Sequence, residues 1–395
     1  MSWIALQMLT GDRAKFFGIV MGLTFAALLI TQQGSIFCGL MLRTAGQVTD
    51  TTGADLWVMD PAVLHVDDVK PMIENNLYRV RGVEGVEWAV PLYKGNARAK
   101  VDNVEGSPRQ VIEQVILLGL DDSSMVGAPP RNRILEGRLE DLRKPDAIFI
   151  DNNRLQKLFP GRPKDDYERV NFKKFLGKEI EMNDHRAVVV GICEASRTFQ
   201  SNPVVYTTYS RAKGYVAQER KVLSYILAKT RNGVDPDVVA REIKRKTGLG
   251  ALTSKQFTEK TIDYYLKYTG IPINFGITAM LGFLVGTAIA GQTFYNFTLE
   301  NLKQFGALKA MGATNGRIVG MILLQAGVVG FLGYGIGVGL AALFGTRVQN
   351  SELAFYTPWQ LLPITGGAVI LICVLASLLS VRRVMVLEPA VVFRG

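Results

Sequence analysis

The sequence predicts an α-helical polytopic membrane protein with four transmembrane helices and a large mixed α+β extracytoplasmic domain inserted between helices 1 and 2. Three observations carry that prediction. Four stretches contain no Asp, Glu, Lys or Arg: Phe16–Leu42, Ile271–Leu299, Ile318–Thr346 and Leu353–Val381. Each is roughly 27–29 residues long, against about 20 apolar residues needed to cross a bilayer core. Residues 43–270, by contrast, hold 36 of the 45 basic and 31 of the 35 acidic side chains, the composition of a water-facing domain. The nine basic residues left over are also unevenly placed. Arg13, Lys15, Lys303, Lys309, Arg317, Arg382, Arg383 and Arg394 fall on one side of a four-span topology, and only Arg347, near Glu352, falls on the other. Retained basic loops mark the cytoplasmic side, so both termini are expected there and the large domain outside. The net charge of +10 is then partly an orientation signal and calls for no nucleic-acid partner.

Taken in order, residues 1–15 place Trp3, Ile4, Leu6, Met8 and Leu9 ahead of a Gly-Asp break and two basic residues. This pattern predicts a short cytoplasmic amphipathic segment on the membrane surface. The first span, 16–42, is longer than the core of a signal peptide and is expected to stay uncleaved. Its "TQQGS" (31–35) is polar enough to face another helix or leave the hydrocarbon. In the inserted domain, 43–270, "ADLWVMD" (54–60), "QVILLGL" (114–120), "DAIFID" (146–151) and "RAVVVGIC" (186–193) read as strands. Residues 66–80 and 235–248 have helical spacing, the second ending at Gly248. A sub-lobe is expected over 105–215, and 258–268 is expected to lead helically into the second span. Thereafter come spans at 271–299, 318–346 and 359–381, an outer loop at 347–358 and a cytoplasmic tail at 382–395. Arg382 and Arg383 are expected to anchor the membrane edge.

The spans are rich in small residues at four-residue spacing. Gly18 and Gly22, Gly282 and Gly286, Gly333 and Gly337, and Gly335 and Gly339 permit close approach of helix backbones. Together they point to a compact helix assembly and to a dimer.

Catalytic chemistry is not visible. His65 and His185 stand apart, in no metal-ligand spacing, and Cys193 has no second cysteine in its domain, since Cys38 and Cys373 lie in spans. No nucleophile elbow, zinc helix or phosphate loop of the GxxxxGK[ST] type occurs. Carboxylates such as those of "KDDYE" (164–168) read as solvated surface. The spans also lack the intramembrane charge that ion-coupled carriers use. The chain therefore reads as a non-enzyme with no cofactor of its own, and energy for any transport must come from another polypeptide. Its point of entry is a polar island between the second and third spans, residues 300–317. There Leu302, Phe305, Leu308 and Met311 form an apolar stripe beside Lys303, Gln304 and Lys309, with "GATNG" (312–316) as a closing turn. Such a helix suits docking into a groove on a partner.

The island and the third span, "ENLKQFGALKAMGATNGRIVGMILLQAGVVGFLGYGIG", closely resemble the segment shared by FtsX-like permeases of ABC transporters. The tail "SVRRVMVLEPAVVFRG" (380–395) is similar to the family's closing segment. "TGADLWVMDP" (52–61), "VEGVEWAVP" (83–91), "ILEGRLED" (134–141) and "LGKEIEMNDHRAVVVGI" (176–192) look like its extracytoplasmic segments. Asn301 and Leu302 stand where Arg and Glu are common in the family. The first span and overall size look closest to the haem- or glycolipid-exporter branch. The resemblance implies a bacterial inner-membrane homodimer bound to two ABC ATPase subunits, which hold the ATP and Mg. A periplasmic adaptor protein is a further candidate partner. It also implies a coupling helix over 300–312, so Glu300, Lys303, Phe305, Leu308, Lys309, Met311 and Gly312 are the expected ATPase-docking residues. The function implied is mechanotransmissive export of an amphipathic substrate. The alternative is a transmembrane regulator that passes ATPase state to an extracytoplasmic protein without transport.

Overall fold

The computed structural model describes residues 2–101, 110–152, 155–159, 172–199, 202–216, 223–348 and 353–385. The first elements are α1 (Ser2–Gly11), α2 (Arg13–Thr44), α3 (Gly46–Asp50), β1 (Leu56–Met59), α4 (Asn75–Arg81), β2 (Val86–Val101) and β3 (Val111–Leu120). Next come β4 (Ile134–Glu136), β5 (Ala147–Asp151), α5 (Leu155–Leu158), β6 (Glu179–Met182), β7 (His185–Cys193), β8 (Val204–Thr208) and α6 (Tyr209–Gly214). The chain continues with β9 (Tyr225–Thr230), α7 (Pro236–Thr247), β10 (Gly250–Thr253) and α8 (Ser254–Tyr268). It closes with α9 (Ile271–Glu300), α10 (Leu302–Ala310), α11 (Asn315–Val348) and α12 (Leu361–Met385). Two compact units result, one of Met1–Leu40 with Thr269–Gly395 and the other of Met41–Tyr268.

The first unit is a helix bundle. Among the described residues, α2, α9, α11 and α12 are long and apolar enough to cross a membrane. The mixed α+β domain is inserted between the first and second of them. The bundle core is built from Ile19, Leu23, Ala26 and Ala27 of α2, Ala290 and Phe294 of α9, Ala326 and Val329 of α11, and Ile372 and Ala376 of α12. On α9, Ile273, Ile277, Met280, Leu281 and Leu284 remain more than half exposed, a face suited to hydrocarbon. The polar "TQQGS" stretch stays helical and turns inward. Thr31 Oγ1 donates to Thr365 Oγ1 (3.4 Å), Ser35 Oγ shares a hydrogen bond with Thr357 Oγ1 (2.8 Å), and Tyr356 N–H donates to Ser35 O (3.0 Å). Glu352 and residues 386–395 lie outside the described residues.

The second unit is organised by a ten-stranded sheet in the order β10-β1-β9-β2-β3-β8-β5-β7-β4, with β6 beside β2 and β7. Most pairs are antiparallel, and β3–β8 and β5–β7 are parallel. Strand β2 spans both halves: Ala89 to Leu92 face β9, and Tyr93 to Val101 face β3 in the register Tyr93↔Gly119 to Val101↔Val111. Over much of its length the sheet is covered on both faces, and there its strands read as continuous apolar runs, whereas Asn96 and Arg98 of β2 and Ile112 and Gln114 of β3 are exposed. Trp57, Met59, Tyr225 and Leu227 enter one core, while their neighbours Leu56, Val58, Ile226 and Ala228 enter the opposite one. Likewise Leu118, Leu120 and Phe149 face the first core, whereas Val115, Leu117, Ile148 and Ile150 belong to a third, drawn from Ala97 to Tyr215.

Helix α7 shows its sequence logic plainly. Asp235 caps the start by accepting from Asp237 N–H (3.0 Å), Pro236 opens the first turn, and Val239, Ala240 and Ile243 are buried. Gly248 stops it with φ +74°, a conformation that costs glycine least. The helix expected over 66–80 is corrected to Asn75–Arg81. Upstream, Pro71 has no amide to donate, and the Val66 peptide is engaged elsewhere in the fold, by α8 and two strands. Residues 164–168 lie outside the described residues.

Candidate functional site

Helix α10 is set by its two ends. Asn301 closes α9, its N–H and Nδ2 both donating to Phe297 O (3.2 and 2.8 Å), and Asn301 O then accepts Phe305 N–H (3.0 Å). At the far end Met311 N–H donates to Ala307 O and Ala313 N–H to Leu308 O, both at 3.0 Å, with Gly312 left-handed at φ +93°. Arg317 and Ile318 N–H donate to Thr314 O, and α11 begins. The island is thus a tight helix–turn–helix.

The orientation of α10 corrects one expectation. Three members of the apolar stripe, Leu302, Phe305 and Leu308, are covered by the chain's own bundle, and the fourth, Met311, is exposed. Phe305 is fully buried among Ile318, Ile322 and Val384, and Leu308 packs with Ala5 and Met321. A nine-residue helix beside two spans lowers its energy by burying the Phe305 ring and the Leu308 branch at once, so that part of the stripe faces inward. The outward face carries Lys303, Gln304, Ala307, Gly312 and Met311, the last 76% exposed.

Charge and polar groups fasten this end of the bundle. Lys309 Nζ donates to Val384 O (2.8 Å) and Met385 O (3.1 Å), on the last described residues of α12. Glu300 pairs with Lys15, which also pairs with Asp12 (2.6 Å), tying the end of α9 to the start of α2. Buried Gln325 donates through Nε2 to Ala5 O (2.7 Å), which fixes α1 against α11. Helix α1 therefore buries Ala5 and Leu9 in the bundle and leaves Trp3 and Ile4 exposed. Arg382 is exposed, and the Arg383 side chain lies outside the described residues.

The glycines singled out from the sequence bring α2 against α9 and α11 within this chain. A Cβ on Gly286 would stand 2.4 Å from Ala26 Cβ, and one on Gly22 2.7 Å from Ile289 Cγ2. On Gly333 and Gly337 it would meet Leu23 Cβ and Ala27 Cβ, each at 2.6 Å. Gly282 touches Leu29 and Gly18 reaches Thr293, whereas Gly335 and Gly339 have nothing within 4 Å.

In the sheet domain the charged groups that sequence reasoning passed over are buried ones. Asp50, at the end of α3, accepts from Arg133 Nη1 (2.6 Å), Ser196 N–H (2.5 Å) and Ser196 Oγ (2.6 Å). Lys94, 6% exposed, pairs with Asp67. Burial pushes its ammonium pKa down, and the Asp67 carboxylate opposes that shift. His65 stacks on Tyr264 (centroids 4.3 Å apart), and its pKa is lowered by burial. Among the described residues no group of three His, Cys, Asp or Glu could hold a metal. A cleft of about 480 Å³ is lined by Arg81, Glu87, Trp88, Val90, Asp121 and Val126. Of its polar groups, Arg81 Nε donates to Ala89 O, and Asp121 accepts from the hydroxyls of Ser123 and Ser124.

Comparison with known proteins follows this division. Residues 16–246, more than half of the chain, match the MacB-like periplasmic core domain, and residues 251–389 match the FtsX-like permease C-terminal region. An ABC transporter permease of Mycobacterium tuberculosis is 25% identical over 240 residues, which cover 60% of this chain and 63% of that protein. The macrolide export ATP-binding/permease protein MacB of Hahella chejuensis is 27% identical over 272 residues, 65% of this chain and 39% of that one. The chain thus spans less than two thirds of the length of these relatives. Among solved structures, the extracellular domain of the ABC-type transporter YknZ from Gram-positive bacteria covers 51% of this chain and 98% of its own, at 15% identity and TM-score 0.34. The periplasmic region of MacB from Actinobacillus actinomycetemcomitans covers 56% and 96%, at 13% identity and TM-score 0.37.

Proposed function

The chain belongs to the FtsX-like ABC transporter permeases with a MacB-like periplasmic core domain, and on that premise we propose that it is the non-catalytic membrane subunit of a transporter driven by a separate ATPase. The ATPase holds the ATP and Mg and sits on the outward face of α10. The permease works as a pair of copies in a bacterial inner membrane, with both termini cytoplasmic. Its output is movement or extrusion of an amphipathic substrate on the outer side, with a periplasmic adaptor protein as a further partner.

One observation carries this reading: α10 is braced from behind and bare in front. Its inward side is locked by Phe305, Leu308 and the Lys309 bonds to α12, so a force on Lys303 or Met311 moves the bundle and not a loose loop. A partner can bias the chain only by binding two of its states unequally, and a rigid docking helix transmits such a bias. The absence of Asp, Glu, Lys and Arg within the spans also favours a second reading. In it the same device signals to an extracytoplasmic protein and nothing crosses.

The test is co-purification. Lys303→Glu with Met311→Glu should reduce recovery of the ATPase at least tenfold while leaving the permease in the membrane. Full recovery with both substitutions would remove α10 from the docking surface. Export and regulation separate in sealed vesicles, where only the first moves a labelled amphiphile on addition of ATP.

A further inference from the structure

Residues 60–69 leave β1 and lie as a strap between α8 and the sheet. Val63 and Val66 are buried in the core that also holds Trp57, Tyr225 and Phe257. The Val66 peptide is held from both sides. Its carbonyl accepts Lys94 Nζ from the middle of β2 (2.8 Å) and the Tyr225 hydroxyl from β9 (2.8 Å), while its N–H donates to Thr261 Oγ1 on α8 (3.3 Å). One turn of the strap earlier, Val63 O accepts Lys260 Nζ, also from α8 (2.6 Å). The His65 ring lies on Tyr264 and edge-on to Tyr265. Asp67 completes the set as the carboxylate partner of Lys94.

The two halves of α8 are therefore held differently. Its first half is fixed by direct apolar contact, Phe257 standing 5.4 Å from Trp57 and 5.8 Å from Tyr225 between ring centroids. Its second half, residues 260–265, meets the sheet through the strap. That half leads after Tyr268 into α9, which begins at Ile271. Simple adhesion would be served by an apolar side chain at position 94. A buried ammonium is stable only while its acceptors are in place. Opening the Lys94 contact would return Lys94 and Asp67 to water, so intermediate separations, dry and unpaired, are disfavoured.

We propose that the strap is a clasp that passes displacement of α8 to β2 and β9, with Lys94 as its positioning residue on the sheet side and Thr261 as its catch on the helix side. The proposal rests on the reading of the chain as a driven permease. It names the place where movement of the second span is read by the sheet.

The test is hydrogen exchange on the full chain in lipid nanodiscs with its partner ATPase, with and without nucleotide. In the unmodified chain nucleotide should change exchange in α8, the strap, β2 and β9 together. Thr261→Val, which keeps shape and removes the acceptor, should raise strap exchange roughly fivefold, the size of one ordinary hydrogen bond. It should keep the nucleotide response in α8 and lose it in β2 and β9. Lys94→Met should break the relay from the other side, and Tyr225→Phe serves if that variant fails to fold. Unchanged strap exchange in Thr261→Val, or a response that still reaches β2 undiminished, overturns the clasp. No nucleotide response anywhere in the unmodified chain sinks the permease reading and the clasp's transmitting role with it. That failure is recognisable because it precedes any substitution.

Discussion

The helix bundle and the sheet domain solve the same problem, holding long elements in register, by opposite means. The bundle keeps Asp, Glu, Lys and Arg out of its interior and fastens itself by close backbone approach, Gly286 on Ala26 and Gly337 on Ala27. Its ion pairs and cation–carbonyl bonds sit at the α10 end, where Lys15 meets Glu300 and Lys309 meets the Val384 carbonyl. The sheet domain buries its fasteners. Lys94 and Asp50 are each 6% exposed, and both are satisfied by several groups at once. Packing contacts resist displacement smoothly, whereas buried charges are satisfied or not. The bundle is therefore suited to carrying a displacement, and the domain to converting it into discrete states.

The contrast breaks most visibly at Asp67. Asp67→Ala leaves the Lys94 ammonium buried with only carbonyl company and should cost roughly 3–5 kcal/mol of domain stability, measured by denaturant melting of the full chain against the parent. The pH dependence has a definite sign. A lysine whose folded pKa lies below its unfolded value binds fewer protons folded than unfolded between the two, so stability rises with pH across that interval. Loss of Asp67 lowers the folded pKa further, so the variant should regain stability relative to the parent as pH is raised toward 10. A gap that stays constant with pH would refute the assignment.

Next in size is the bundle. Gly286→Val forces a side chain into Ala26 and should cost roughly 1–3 kcal/mol, read as a lower melting temperature in detergent. Gly339→Ala, at a position with nothing within 4 Å, should leave the melting temperature of the single chain unchanged. Equal effects would mean that the close approach of α2 to α9 is not what holds the bundle. Smallest is Lys309→Met. It removes the Lys309 bonds to the Val384 and Met385 carbonyls and should cost about 0.5–1.5 kcal/mol, seen as faster exchange around Val384 with the melting point barely moved.

These particulars also mark how far the sequence could be read. The spans were legible because the absence of charge over a membrane's thickness has few other causes. Helix α7 was legible from the helical spacing of its apolar residues and from Gly248, signals that act locally. Strand β2 was not read as a strand from the sequence. Its second half alternates Asn96, Arg98 and Lys100 with Ala97, Ala99 and Val101, and alanine is too weakly apolar to announce an inner face. The strap read as helix because Val66, Val69 and Met72 have helical spacing, although tertiary bonds to β2, β9 and α8 had already claimed its backbone. At the candidate site the existence and helicity of α10 were visible, but its facing was not. An apolar stripe tells which side seeks cover and not whether the cover is a partner or, as for Phe305, the same chain. Lys94 and Asp50 were invisible as fasteners because nothing local distinguishes a buried charge from a solvated one.

The central claim is that force enters through the outward face of α10. It is tested most directly by a single cysteine at Met311, in a chain with Cys38, Cys193 and Cys373 replaced, probed with a membrane-impermeant thiol reagent. The account predicts labelling only in inside-out vesicles, and strong protection of that cysteine when the ATPase is bound. Labelling from the periplasmic side, or labelling that the bound ATPase leaves unchanged, would contradict it.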